Sequence, residues 1–167
     1  FTITGGNANG SGSPVVNGIT VFRGYGGGIY ISGGNNTLTN NSIINNSASN
    51  FGGGVIVFRK GILNITFCEL TRNRSDNTGG GLQTLWTNSI ISTSIRNSII
   101  SDNVSLFGAG IHNQGSTLEM INSVVSGNIA SGSDPTGGAG GLENVASGNN
   151  TVSTLTNCTF SGNQQTS

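Results

Sequence analysis

The sequence predicts an all-β protein folded as a parallel β-helix, a solenoid in which each turn of the chain stacks on the previous one. A segment with the pattern apolar, x, usually Asn, small, x, apolar, x, x, Asn recurs five times, and a Gly-rich element precedes each copy. The composition argues against helical folds: the 167 residues include 29 glycines and a single Lys, and 7% are charged, against roughly 25% in an ordinary soluble domain.

The spacing of the repeated segment sets the size of one turn. The five copies end at Asn46, Asn73, Asn103, Asn128 and Asn163, and neighbouring copies lie 25–35 residues apart. An irregular period of this length is typical of one solenoid turn per repeat. We therefore expect one β-helix domain, residues 1–167, with about five to six turns of 25–35 residues. Residues 1–25 would form a partial first turn with a loop, and residues 26–167 the five repeats.

Each turn needs short strands and corners. Alternating apolar residues, such as Ile29 and Ile31, indicate strands with one face in the core. The Gly-rich elements supply residues that accept positive φ and let neighbouring backbones approach closely. Extra residues within 85–91 and 146–150, together with 131–137 and 5–18, are expected to be loops that leave the stack intact.

The repeated Asn has a structural interpretation. Asn tolerates the left-handed conformation and forms local hydrogen bonds at turns. If the five final asparagines stack at one corner, their amides can form a ladder that satisfies polar groups buried inside the coil. The pattern predicts no catalytic, cofactor-binding or metal-binding residue.

The paired motifs carry a family likeness. Gly-Gly-[Gly/Ala]-[Ile/Val/Leu] followed by apolar-x-x-Asn resembles the repeats of polymorphic outer-membrane proteins and of the wider group of bacterial right-handed parallel β-helix surface proteins. Phe occupies the apolar slot once, at Phe160, so the chain is most similar to the broad group. The resemblance implies a single-stranded, right-handed β-helix. It also implies a secreted or surface-displayed protein, often an adhesin, without shared catalytic residues.

Several polar residues are candidates for chemistry. Stacking the repeats puts Arg72 near Asp102 and Arg96 near Glu119, which predicts two surface ion pairs worth roughly 0–1 kcal/mol each. His112 shares a column with Tyr30, Ile56, Gln83 and Glu143, so a contact between His112 and Glu143 is expected.

The two cysteines fall in one column, three turns apart. Cys68 and Cys158 are too far from each other for a disulfide at the usual strand spacing. The sequence predicts two free thiols that act as small fillers of the core or of a corner.

Charge and hydropathy exclude two classes of partner. Six Lys and Arg residues balance six Asp and Glu residues, which argues against nucleic-acid binding. No apolar run is long enough for a transmembrane helix, so this segment is not expected to insert into a membrane. The chain begins with Phe1 in a strand-like segment, which indicates a processed chain or a piece of a longer one.

Three functions remain open. The first is a structural or adhesive module outside the cell, with Trp86 as a possible surface contact for glycans or a host surface. The second is a filament subunit that stacks on copies of itself or on neighbouring β-helix segments. The third, a minor alternative, is an enzyme acting on a polysaccharide, which would need a cluster of carboxylates that the sequence does not provide.

Overall fold

The computed structural model describes residues 1–166 apart from 11, 14, 17, 18, 133–137 and 148–150, and it describes the backbone alone for 16, 19 and 86–90. In chain order the strands are β1 (Thr2–Thr4), β2 (Asn7–Ala8), β3 (Val15–Val16), β4 (Ile19–Thr20), β5 (Ile29–Ile31), β6 (Asn35–Thr39), β7 (Ser42–Ile44), β8 (Ser47–Ala48), β9 (Val55–Thr66), β10 (Glu69–Thr71), β11 (Arg74–Ser75), β12 (Leu82–Arg96), β13 (Ile99–Ser101), β14 (Val104–Ser105), β15 (Ile111–Gln114), β16 (Thr117–Ile121), β17 (Val124–Ser126), β18 (Ile129–Ala130), β19 (Leu142–Val145), β20 (Val152–Thr156), β21 (Thr159–Ser161) and β22 (Gln164–Gln165). Those described residues contain no helix, and therefore none that could span a membrane.

Three parallel sheets wrap around one core. The first sheet has the order β1-β7-β10-β13-β17-β21 and the second the order β2-β8-β11-β14-β18-β22. The third sheet has eight strands and contains β5, β6, β9, β12, β15, β16, β19 and β20. The all-β, parallel β-solenoid architecture is confirmed. Because the strand order in the first two sheets follows the chain order, later residues lie farther along the solenoid axis.

The register brings equivalent repeat positions into columns. Leu70 pairs with Ile43 on one side and Ile100 on the other, and Val125 follows, so the inward positions of the first sheet are aliphatic throughout the buried part of the stack. Similar columns from the third sheet join them in a single apolar core. Continuous stacking buries apolar faces that no single turn could cover alone.

Each turn bends at two left-handed corners on either side of the first sheet. The second corner precedes the ladder asparagine and includes Asn45, Arg72 and Asp102, with φ of 56°, 52° and 55°. At the first corner φ is 50–54° at every position, and the residues there are Asn40, Phe67, Asn97, Asn122 and Asn157. Asn is the side chain that best tolerates this conformation, which explains why most members of the column are Asn.

The Gly triplets serve both expected roles. Gly52 has φ of 65°, in the left-handed region. A Cβ on Gly54 would lie 2.6 Å from the Gly81 carbonyl oxygen and 3.0 Å from Asn73 Nδ2, so the next turn leaves no room for a side chain.

The expected loops differ in how far they leave the stack. The expectation of a loop over residues 85–91 is wrong: these residues lie within β12, and the extra residues are accommodated by a register shift in the pairing with β9 between Trp86 and Ile91. The expectation of a simple loop over residues 5–18 is wrong in part. Asn7–Ala8 forms β2 and joins the second sheet, because Gly6 still accepts the backbone hydrogen bond of Ser47, and Val15–Val16 pairs with Ile19–Thr20. Residues 133–137 and 148–150 lie outside the described part of the chain.

Candidate functional site

The ladder asparagines lie in one column at the corner after the first sheet. Successive side chains are joined by hydrogen bonds from Nδ2 to Oδ1 of 3.0, 3.2, 2.9 and 2.9 Å, in the order Asn46, Asn73, Asn103, Asn128, Asn163. Asn73 illustrates the pattern: its Nδ2 also donates to the Ile43 carbonyl, and its Oδ1 also accepts the Asn46 backbone N–H.

The ladder is buried and its central members are fully satisfied. Asn73, Asn103 and Asn128 are inaccessible to solvent, and each uses both amide hydrogens and both lone pairs of the oxygen. No donor or acceptor of these three side chains is left for a substrate. Their chemistry is therefore that of a structural seam between turns.

A second polar column lies on the third sheet. The register aligns Tyr30, Ile56, Gln83, His112 and Glu143, in the order that the repeats predict. Gln83 Nε2 contacts His112 Nδ1 at 3.0 Å and donates to the Thr84 carbonyl at 2.7 Å, while Gln83 Oε1 accepts from Thr78. Since Gln83 donates to Nδ1, the imidazole proton belongs on Nε2.

The electrostatics of this column follow from burial. Burial lowers the pKa of His112 to about 4, so the imidazole is neutral near pH 7. Burial also raises the pKa of Glu143. His112 Nε2 lies 3.9 Å from Glu143 Oε2, a contact that the sequence predicts but one too long for a hydrogen bond. Among the described side chains, only that of Gln83 is hydrogen-bonded to His112.

A polar network inside the core escaped the sequence analysis. Thr84 donates to Asn113 Oδ1 at 2.9 Å and contacts Ser116 Oγ at 2.7 Å, and Asn113 Nδ2 reaches Asn144 Oδ1 at 3.0 Å. Thr84, Asn113 and Ser116 are buried. Thr84 and Asn113 stand two residues after the apolar residue of their Gly elements, where earlier turns have Ile31 and Val57. This change from aliphatic to polar residues at one repeat position is the sequence signal from which the polar network could have been predicted.

An open groove of about 370 Å³ crosses the third sheet. Its lining residues are Gly34, Asn35, Lys60, Gly61, Ile62 and Ser92. It lies where three successive levels are interrupted: between β5 and β6, at Lys60 in β9, and at the register shift in β12. The backbone of Trp86 pairs with Arg59 beside this interruption, and the Trp86 side chain lies outside the described residues.

Of the two expected ion pairs, one is formed. Arg96 Nη2 contacts Glu119 Oε2 at 2.6 Å, which confirms that prediction. Arg72 and Asp102 occupy one column, but no ion pair joins them, so the second prediction is wrong. Both residues sit at left-handed corners, and Asp102 instead leans toward Gly127, where an added Cβ would lie 2.5 Å from its Oδ1.

The cysteines are free, as predicted. Cys68 is buried and Cys158 is partly exposed. Their thiols donate to nearby carbonyls, including that of Thr66 for Cys68 and that of Thr156 for Cys158.

Comparison with known proteins found no matching family model, no similar curated protein and no similar solved structure. Among the described residues, no three His, Cys, Asp or Glu side chains come together as a metal site would require. The groove and the two polar columns are therefore the features from which a function must be argued.

Proposed function

We propose that the chain is a non-catalytic, extracellular structural and adhesive module of a bacterial surface protein, with the repeats of the polymorphic outer-membrane type. The observation that carries the proposal is the asparagine ladder. The amide hydrogens and the oxygen lone pairs of its central asparagines all form hydrogen bonds with adjacent turns, which favours a rigid structural support over a catalytic site.

The outer surface supports the same proposal. Outward positions of the first sheet are mostly small or hydroxyl-bearing, as in Thr71, Ser101 and Ser126, and Thr71 Oγ1 contacts Ser101 Oγ at 2.6 Å. The chain has one Lys and five Arg, so it offers few sites to trypsin-like proteases. Such a surface suits a protein exposed to proteases and to polar ligands outside the cell.

Adhesion is tested with the fluorescently labelled chain on cultured host cells and on a glycan array. We expect saturable binding that Trp86→Ala weakens. Phe67→Ala, which removes an exposed aromatic residue at a corner of the solenoid, is the matched control and should bind like wild type. Absence of binding to all cells and glycans would contradict the adhesive role.

The enzyme alternative has its own assay. Incubation with a panel of acidic polysaccharides should release no new reducing ends if the module is non-catalytic. Release that depends on His112 or Glu143 would contradict the proposal and favour a polysaccharide-active enzyme.

The filament alternative has one specific observation in its favour. Leu155 and Phe160, on the last level of the stack, are 44% and 40% exposed, whereas Met120 and Val125, which precede them in the same columns, are buried. A second copy or a further segment would cover them. Electron microscopy of the concentrated protein distinguishes end-to-end polymers from single rods.

A further inference from the structure

We propose that the groove across the third sheet binds a saccharide that bears a carboxylate. This inference rests on the adhesive function proposed above and gives it a ligand class. The groove is open and has the size of a small-ligand site, and it combines an apolar wall with a few polar groups.

The groove has a shape that suits a short sugar chain. It runs along the solenoid axis, with Asn35 from β6, Ile62 from β9 and Ser92 from β12 on three successive levels of the stack. Adjacent levels are about 4.8 Å apart, close to the length of one sugar ring. A Cβ added to Gly34 would meet no atom closer than Asn36 Nδ2 at 3.9 Å, so the backbone there is open to a ligand.

The lining has the mixed character that a sugar ring requires. Ile62 is 42% exposed and offers an apolar surface to the C–H face of a ring. The exposed amide of Asn35 and the hydroxyl of Ser92 offer both donors and acceptors to ring hydroxyls. A peptide strand is a poorer fit, because β9 and β12, which carry Ile62 and Ser92, are each paired on both sides and offer no edge to extend; only β6 has a free edge among the strands that line the groove.

Charge selects an acidic sugar over a neutral one. Residues 1–68 contain Arg23, Arg59 and Lys60 but no Asp or Glu, and β12, which contributes Ser92 to the groove, has no acidic residue either. Lys60 lines the groove and is exposed, and the neighbouring Arg59 lies over the Phe58 ring at 5.3 Å. The ion pairs among the described residues include none of these three cations. A ligand carboxylate would provide the missing counter-charge for Lys60.

Isothermal titration with 3′-sialyllactose and with lactose isolates the contribution of the carboxylate. We expect wild type to bind sialyllactose at least tenfold more tightly than lactose. Lys60→Gln should weaken sialyllactose binding about tenfold, as expected for one lost charged hydrogen bond, while Lys60→Arg stays within threefold. Arg72→Gln removes an exposed cation from another face and should bind like wild type. Circular dichroism of each variant checks that the fold is unchanged.

Three results would overturn the ligand assignment: equal affinity for lactose, full binding by Lys60→Gln, or equal affinity for triglutamate. Failure of this proposal differs from failure of the adhesive function. If labelled wild-type protein binds host cells and sialyllactose does not bind, the ligand class is wrong and adhesion stands. If the protein binds neither cells nor any saccharide, both proposals fail.

Discussion

The asparagine ladder makes a quantitative prediction at its centre. Asn103→Ala deletes four hydrogen bonds: two donated by Nδ2, to the Leu70 carbonyl and to Asn128 Oδ1, and two accepted by Oδ1, from the backbone N–H and the side chain of Asn73. The site is inaccessible to water, so the Asn73 backbone N–H is left without a partner. At roughly 1 kcal/mol for each net hydrogen bond, the expected loss in the free energy of unfolding is about 3–5 kcal/mol.

Chemical denaturation followed by circular dichroism measures this loss. Asn64→Ala is the matched control, because Asn64 is exposed on β9, and its change should stay within about 0.5 kcal/mol. Asn103→Asp separates hydrogen bonding from packing. Its carboxylate cannot donate to Leu70 or Asn128, so it should be less stable than Asn103→Ala at pH 7. It should recover in part as the pH falls and the acid protonates.

A stabilising role for the ladder would be refuted if Asn103→Ala lowered the free energy of unfolding by less than about 1 kcal/mol. The same conclusion would follow if Asn103→Asp showed no recovery in acid. Either result would mean that the buried amides are tolerated by the solenoid and do not stabilise it.

Three further predictions concern single residues. Phe67 has φ of 53° in a column of asparagines and is 58% exposed, so Phe67→Asn should raise the free energy of unfolding by about 1 kcal/mol in denaturation; a lower stability would contradict the strain argument. The pKa of His112 falls from 6.5 to about 4 on folding, so the imidazole should lower the free energy of unfolding by about 3 kcal/mol as the pH drops through this window. Glu143, with its raised pKa, contributes the opposite slope in wild type and variant alike, so the decline attributed to the imidazole must disappear in His112→Gln. In the native protein, a thiol reagent should label the partly exposed Cys158 faster than the buried Cys68. After denaturation without reductant it should label both cysteines, as measured by intact mass. Fewer than two labels on the denatured protein would indicate a disulfide.

Periodic features were within reach of sequence reasoning. The apolar alternation, the Gly elements and the trailing asparagines each recur once per turn, and stacking turns a one-dimensional period into a column. For that reason, the position of His112 beside Gln83 and Glu143, and the contact of Arg96 with Glu119, follow from counting residues within the repeat.

Features that depend on the direction of a side chain could not be predicted from the repeat. Arg72 and Asp102 share a column, yet left-handed corners turn their side chains where no ion pair forms. Thr84 and Asn113 replace aliphatic residues in the core, and hydrogen bonds to Ser116 and Asn144 make that substitution acceptable.

Local sequence thus accounts for the solenoid, its corners and its seam, because each of these repeats within a single turn and needs only the next identical turn to form. The groove is different. It requires Gly34, Lys60 and Ser92, which belong to three turns with unlike insertions, to meet at one interruption of the third sheet. Insertion lengths fix where each strand breaks, but only packing of the turns against one another aligns those breaks into a surface that a ligand can enter.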